Sequence, residues 1–223
     1  MASMGEEWLT RAGWSSETLQ RFGLSFAVCA AAVESMAACC RDAWVTGLLR
    51  GFNGNMSLRL PAAERGSVLL VTGTGVAKGH MEPGGLALAD MDGRLLCGAR
   101  LSSETPMHVA IYRRRPETGC VLHVHPAHML ALSLRLGSEQ ARFLRMPLLE
   151  SDLWLCHLGR AGAFPNGSQE LADAVGEAFA PAGIRAVFME GHGLCAVGAT
   201  GMEALSVCEQ LEHMAETQLL AGL

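Results

Sequence analysis

The sequence predicts a single-domain α/β protein, and three observations predict it. Short β-branched runs bounded by glycine or proline, such as Cys120 to His125, read as strands. Between them lie segments whose apolar residues recur every three or four positions, which read as amphipathic helices. The length, 223 residues, fills one core well and forces no second domain.

Residues 1–24 read as an accessory arm of two short helical turns anchored by Trp8, Trp14 and Phe22, and 25–223 as the main domain. From Ser25 a long helix carries Phe26, Cys29, Val33, Met36, Cys40, Trp44 and Leu48 on one face and ends near Gly47 to Gly51. Met56 to Leu60 alternates as a strand, and Ser67 to Thr72 is a second. Leu86 to Asp90 and Arg94 to Cys97 flank Asp92-Gly93, the strongest short hairpin signal. Thr105 fits an N-cap and Pro106 the first helical position after it. Arg113, Arg114 and Arg115 suit the negative end of that helix, as a solvated terminus. His128 to Leu136 is helical, 137–165 carries no clear period, and Ser168 caps a helix stopped by Pro181 and Gly183. Ala186 to Glu190 and Leu194 to Gly198 are strands. Thr200 and Glu203 form a capping box for a final helix that ends near Leu220.

Half the residues are apolar, yet no apolar run approaches the roughly 18 residues that span a bilayer. Leu24 to Val33 comes nearest and resembles a buried helix segment. Glu6 and Glu7 precede any hydrophobic stretch, which disfavours a secretory signal and a membrane role. The eight cysteines include no C-x-x-C pair and sit among apolar neighbours, as small buried hydrophobes in a reducing, cytoplasmic setting. A net charge of −5 argues against a nucleic-acid partner. Lys78 is the single lysine, and its Gly-rich setting offers no desolvating pocket, which disfavours imine chemistry.

The chemistry concentrates in Leu101 to His128. Alternation along a strand puts His123 and His125 on one face and Leu122 and Val124 on the other. Their Cα atoms are then roughly 7 Å apart, close enough to share one ion at about 2.0–2.1 Å from each nitrogen. Glu104, after Ser102 and Ser103, sits just outside a helix N-terminus, where a carboxylate can hang over a site or simply favour the helix dipole. Gly51 to Asn55 and Gly73 to Gly79 are loops fit for an anion or for a plain turn. His192, between Gly191 and Gly193, has little to pack against, so a ligand role is credible. His128 is a rival third ligand, disfavoured because Pro126 breaks the strand before it. His80, His108, His157 and His213 read as structural or surface residues.

Taken in order, Gly54-Asn55-Met56-Ser57, Thr72-Gly73-Thr74-Gly75, Ser102-Ser103-Glu104-Thr105-Pro106, His123-Val124-His125 and Gly191-His192-Gly193 resemble the motifs of the class II aldolase/adducin head family. The resemblance spans roughly 25–220. It implies a three-layer α/β/α sandwich with a central mixed, mostly antiparallel sheet, assembled as a homotetramer with sites at subunit interfaces. It implies Zn2+ (or another divalent metal) on His123, His125 and His192, and Glu104 as the acid/base carboxylate. Gly54, Asn55, Thr72, Gly75, Ser102 and Ser103 match positions that hold the substrate phosphate.

The implied activity is retro-aldol cleavage of a small ketose phosphate through a metal-stabilised enediolate. Sugar-phosphate 4-epimerisation and decarboxylation of a 3-oxo acid phosphate are the family alternatives. An adducin-like interaction module, which lacks the ligands, ranks last. Glu104 stands where the epimerases tend to carry Asp. The chain departs from the family in three places: Gly73 replaces the usual proline, Phe52 replaces a phosphate-contacting threonine, and no phenol occurs near Met146 to Glu150. Its one tyrosine, Tyr112, falls inside the helix after Glu104 and reads as core.

Overall fold

The computed structural model describes residues 2–223. Eight strands, β1 (Asn55–Ala62), β2 (Gly66–Thr72), β3 (Leu86–Ala89), β4 (Leu95–Gly98), β5 (Cys120–Val124), β6 (Leu158–Ala161), β7 (Ala186–Met189) and β8 (Gly193–Gly198), form one sheet. Their order is β4-β3-β2-β1-β5-β8-β7-β6. Every pairing is antiparallel except β6 with β7.

Eight helices cover both faces: α1 (Met4–Arg11), α2 (Ser16–Gln20), α3 (Phe26–Val45), α4 (Thr105–Arg114), α5 (Ala127–Leu136), α6 (Leu149–Leu155), α7 (Gln169–Ala178) and α8 (Gly201–Leu220). Alternation along the strands divides the core in two. Leu58, Leu60, Leu70, Leu122 and Phe188 face α1, α2, α3, α5 and α8. Leu69, Val71, Val121, Val187 and Val197 face α4 and α7. This is the three-layer α/β/α sandwich with a mixed, mostly antiparallel sheet.

The N-terminal arm is tied in more firmly than three aromatic anchors suggest. Trp14 is buried, while Trp8 and Phe22 are only partly so; Leu9, Leu19 and Leu24 are the buried anchors. α1 packs along α3, and the backbone N–H of Gly5 donates to Glu34 of α3 at 2.7 Å.

Three local expectations change. Glu104 itself is the N-cap of α4 and its side chain makes no capping bond. Thr105 lies inside the helix, its hydroxyl turned back to the Ser102 carbonyl at 2.8 Å. The arginines closing α4 form a solvated end as expected: exposed Arg113 and Arg114 pair with Asp92 and Glu177, and Arg115 donates to the Ile184 carbonyl. The unassigned stretch holds α6 and β6. Glu203 reaches back to the N–H of Ala199, one residue before the Thr200 cap. Among the described residues no helix is long and apolar enough to cross a membrane.

Leu19 is fully buried although it lies in the arm. Leu19→Ala is expected to cost about 2–5 kcal/mol, read as a lowered urea midpoint. An unchanged midpoint would mean that the arm is dispensable to the core.

Candidate metal centre and its pocket

Antiparallel pairing brings distant residues together at the ends of the central strands. Asn55 opens β1 opposite His123 near the end of β5, and His123 pairs in turn with Cys195 of β8. His192 sits in the turn between β7 and β8, where Gly191 adopts φ +67°. A Cβ on Gly193 would lie 2.4 Å from the Val124 carbonyl and press on the His123 and His125 rings. The Gly-His-Gly sequence is therefore what lets three imidazoles crowd together.

Nitrogens of His123, His125 and His192 lie within 4.8 Å of one another. Nε2 of His123 and Nε2 of His125 are 3.0 Å apart. Glu104 joins them, with Oε2 3.2 Å from Nε2 of His123 and Oε1 2.9 Å from Nε2 of His192. Four donors on a tetrahedral ion at about 2.0–2.1 Å are about 3.3 Å apart, so this spacing fits one cation.

Proton bookkeeping makes the same point. Nδ1–H of His123 donates to the Leu194 carbonyl at 3.1 Å, which leaves its Nε2 as a lone pair facing a carboxylate oxygen. Oε1 of Glu104 lies close to His192 but off the line that a hydrogen bond needs. That oxygen and Nδ1 of His192 are buried without hydrogen-bond partners. Acceptors facing acceptors in a buried site call for a cation between them.

Burial keeps the His123 and His125 imidazoles in their neutral, ligating form. It pushes the His123 pKa down to about 3, against the opposing pull of Glu104, and it lowers that of His125. Burial works to raise the Glu104 pKa, but His192, His123 and the Asn55 amide outweigh it. The carboxyl is held well below the usual carboxylate range. His128 turns away: its Nδ1 is 2.9 Å from Glu212, whose carboxylate also accepts the N–H groups of His128 and Met129.

The cluster opens into a pocket of about 170 Å³ lined by Gly54, Asn55, Thr74, Gly75, Ser102 and Ser103, with Phe52 and Asn166 among its outer walls. Thr72 is a correction: it is fully buried, its hydroxyl accepts the N–H of Met56 at 3.0 Å, and it does not line the pocket. Asn55 lines the pocket, but its amide is committed, Nδ2 donating to Glu104 at 2.7 Å and Oδ1 facing His108 at 2.5 Å. The N–H groups of Gly73 and Thr74 donate to the Gly85 and Arg100 carbonyls, so neither is open to an anion.

Sequence reasoning missed Lys78. It is buried, not set in an open loop, and its ammonium donates to the Phe52 carbonyl at 2.7 Å while lining the pocket. Burial lowers its pKa, opposed by Cys40 and Glu104. The amine is therefore desolvated after all. An apolar residue near the Gly73 to Gly79 loop was the missing signal, since Trp44 packs on Gly79. Tyr112, as expected, is core. A larger cleft of about 610 Å³ between α4 and α7 holds no such cluster, and its Asp92–Arg113 and Arg114–Glu177 charges pair with one another.

Three histidines and a carboxylate gathered at the ends of the central strands of such a sandwich make a candidate metal centre, and comparison with known proteins identifies the family. The family described as Class II Aldolase and Adducin N-terminal domain matches residues 34–219, and the chain belongs to it. A 5-methylthioribulose-1-phosphate/5-deoxyribulose-1-phosphate aldolase of Escherichia coli O45:K1 is 28% identical over 189 residues, 85% of this chain and 84% of that protein. A methylthioribulose-1-phosphate dehydratase of Methylococcus capsulatus is 33% identical over 174 residues, 75% and 83%. Among solved structures, L-fuculose-1-phosphate aldolase of Thermus thermophilus superposes with a TM-score of 0.68 at 28% identity, covering 85% of this chain and 93% of that one.

Two outcomes follow. His192→Ala is expected to abolish stoichiometric metal binding, measured as metal per chain, whereas His128→Ala retains it; the reverse pattern would move the third ligand to His128. Fully buried His108 takes up no proton in the folded protein above about pH 4, whereas the unfolded side chain does so below about 6.5. The unfolded chain then binds more protons across that window, so stability falls as pH falls from about 6.5 to 4, by on the order of 3 kcal/mol from this group. Urea midpoints at pH 7 and 4.5 measure the fall, which shrinks in His108→Gln.

Proposed function

We propose that this chain is a cytoplasmic, metal-dependent aldolase that cleaves a small ketose phosphate. One observation carries the reading: three imidazoles and an ionised carboxylate converge on the floor of a pocket whose walls offer hydroxyls and one buried ammonium. His123, His125 and His192 are the residues that would hold a divalent cation, zinc by the chemistry of an imidazole-rich donor set. Such a cation supplies Lewis-acid stabilisation of negative charge developing at the substrate carbonyl oxygen.

The chain's own groups do the rest. In cleavage the C4 hydroxyl loses its proton, the C3–C4 bond breaks and the aldehyde departs, leaving an electron pair at C3. Glu104, ionised and fixed by Asn55, is placed to take that hydroxyl proton and deliver it to the electron pair at C3. Tyr112 does not exchange a proton with the departing oxygen, because it is buried against Ser57 and outside the pocket. Gly54, Gly75, Ser102 and Ser103 surround the phosphate, and Lys78 contributes the positive charge it needs. Asn55 serves Glu104 more than the phosphate, and Thr74 takes the place given to Thr72.

The chain assembles, on this reading, as a homotetramer. Exposed Leu148, Leu149 and Leu153 at α6, with Val45 and Phe52 near the pocket, are apolar surface that a second copy would cover.

Dehydration is the second reading, favoured by the dehydratase relative at 33% identity. It begins instead with loss of a proton from the carbon beside the carbonyl, and the hydroxyl on the next carbon leaves as water in place of an aldehyde. Metal-loaded protein incubated with ketose 1- and 5-phosphates and 3-oxo acid phosphates separates the cases. Dihydroxyacetone phosphate supports the aldolase; a dehydrated product, an epimer or carbon dioxide replaces it by the corresponding reaction. Lys78→Met is expected to raise KM for the phosphorylated substrate roughly 10- to 100-fold, the worth of a charge-assisted bond, with metal content unchanged. An unaltered KM would remove Lys78 from substrate binding.

A further inference from the structure

Behind Glu104 lies a buried hydrogen-bonded chain that the reaction scheme does not use. Glu104, His108 and Tyr112 recur every four residues and share one face of α4, and Asn55 and Ser57 share one face of β1. Across that seam Ser57 Oγ is 2.7 Å from Nδ1 of His108 and 3.0 Å from the Tyr112 hydroxyl, which also donates to the Ser57 carbonyl at 3.0 Å. Nε2 of His108 is 2.5 Å from Oδ1 of Asn55, whose Nδ2 is 2.7 Å from Oε2 of Glu104. All five side chains are buried.

Both ends of the chain fix its direction. The ionised Glu104 can only accept, so Asn55 must turn its NH2 toward it and its oxygen toward His108. That oxygen can only accept, so His108 carries its proton on Nε2. The Ser57 carbonyl also only accepts and takes the proton of Tyr112, which leaves Ser57 Oγ–H free to donate to the lone pair at Nδ1. Every donor then meets one acceptor, and burial keeps the ring neutral.

We propose that His108 is a positioning residue for Glu104: its Nε2–H locks the Asn55 amide with the NH2 toward the carboxylate, which holds that carboxylate against the histidine cluster. Without the lock the amide can turn over, and its oxygen would then face Glu104 at hydrogen-bond distance. Two acceptors there repel, and the carboxylate swings away from the reacting carbon. The proposal rests on Glu104 being the proton carrier.

The test uses full-length, metal-loaded protein with ¹⁵N-labelled histidine and the variants His108→Phe and His108→Gln. Gln can again present an N–H where Nε2 stood; Phe fills the space without one. His108→Phe is expected to lower kcat 10- to 100-fold while KM and metal content stay within about twofold, and Gln recovers at least tenfold over Phe. In the wild-type spectrum the His108 ring carries its proton on Nε2. A Phe variant with near-normal kcat, a Gln variant no better than Phe, or a proton on Nδ1 overturns the proposal. The tautomer measurement needs no substrate, so it decides the lock when His108→Phe does not fold. A wild-type enzyme inert toward every ketose phosphate sinks the aldolase reading alone, and the tautomer result still stands.

Discussion

The register between β1, β5 and β8 is the constraint on which the site depends. Asn55 lies across from His123, and His123 across from Cys195. A slip of one residue would turn His123 into the leucine-rich layer and Leu122 toward α4, because side chains alternate along a strand. That layer is packed with Leu58, Leu60, Leu70 and Phe188, and a buried imidazole without a partner costs too much to be placed there. The hydrophobic pattern of the strands thus fixes the polar site at their ends.

Electrostatics then work against the apolar scaffold. His123 is fully buried and Glu104 nearly so, with lone pairs directed at one another. Natural domains keep such an arrangement where charge supplied from outside completes it. The Asn55 amide and the Leu194 carbonyl relieve part of the conflict by holding Glu104 Oε2 and His123 Nδ1. What remains unrelieved is Glu104 Oε1, which lies 2.9 Å from His192 Nε2 without a hydrogen bond, and His192 Nδ1, which has no partner.

Most of the sandwich was legible in the sequence because its strands and helices announce themselves by period and punctuation. The H-x-H strand, the Asp92-Gly93 hairpin and the Ser168 cap lie where local rules put them. The histidine cluster was legible only through the order of five motifs, since nothing local relates His192 to His123. The pocket was read less well. Thr72 closes β2 whereas Thr74 lies in the loop beyond it, and the hydroxyl of Thr72 is drawn inward by the N–H of Met56. The burial of Lys78 depends on Trp44 and the loop after β2 packing together, a tertiary contact that no window reveals. His108 looked structural, although Glu104, His108 and Tyr112 at intervals of four already traced one polar stripe on α4.

The pocket also divides by depth. Its floor is crowded: a single carbon added at Gly193 has nowhere to go. Its outer walls, Phe52, Asn53, Thr74 and Asn166, are exposed residues on loops, where exchanges ordinarily shift stability by under about 0.5 kcal/mol. Exchanges at the rim can therefore alter what the pocket admits while the crowded floor beneath stays as it is.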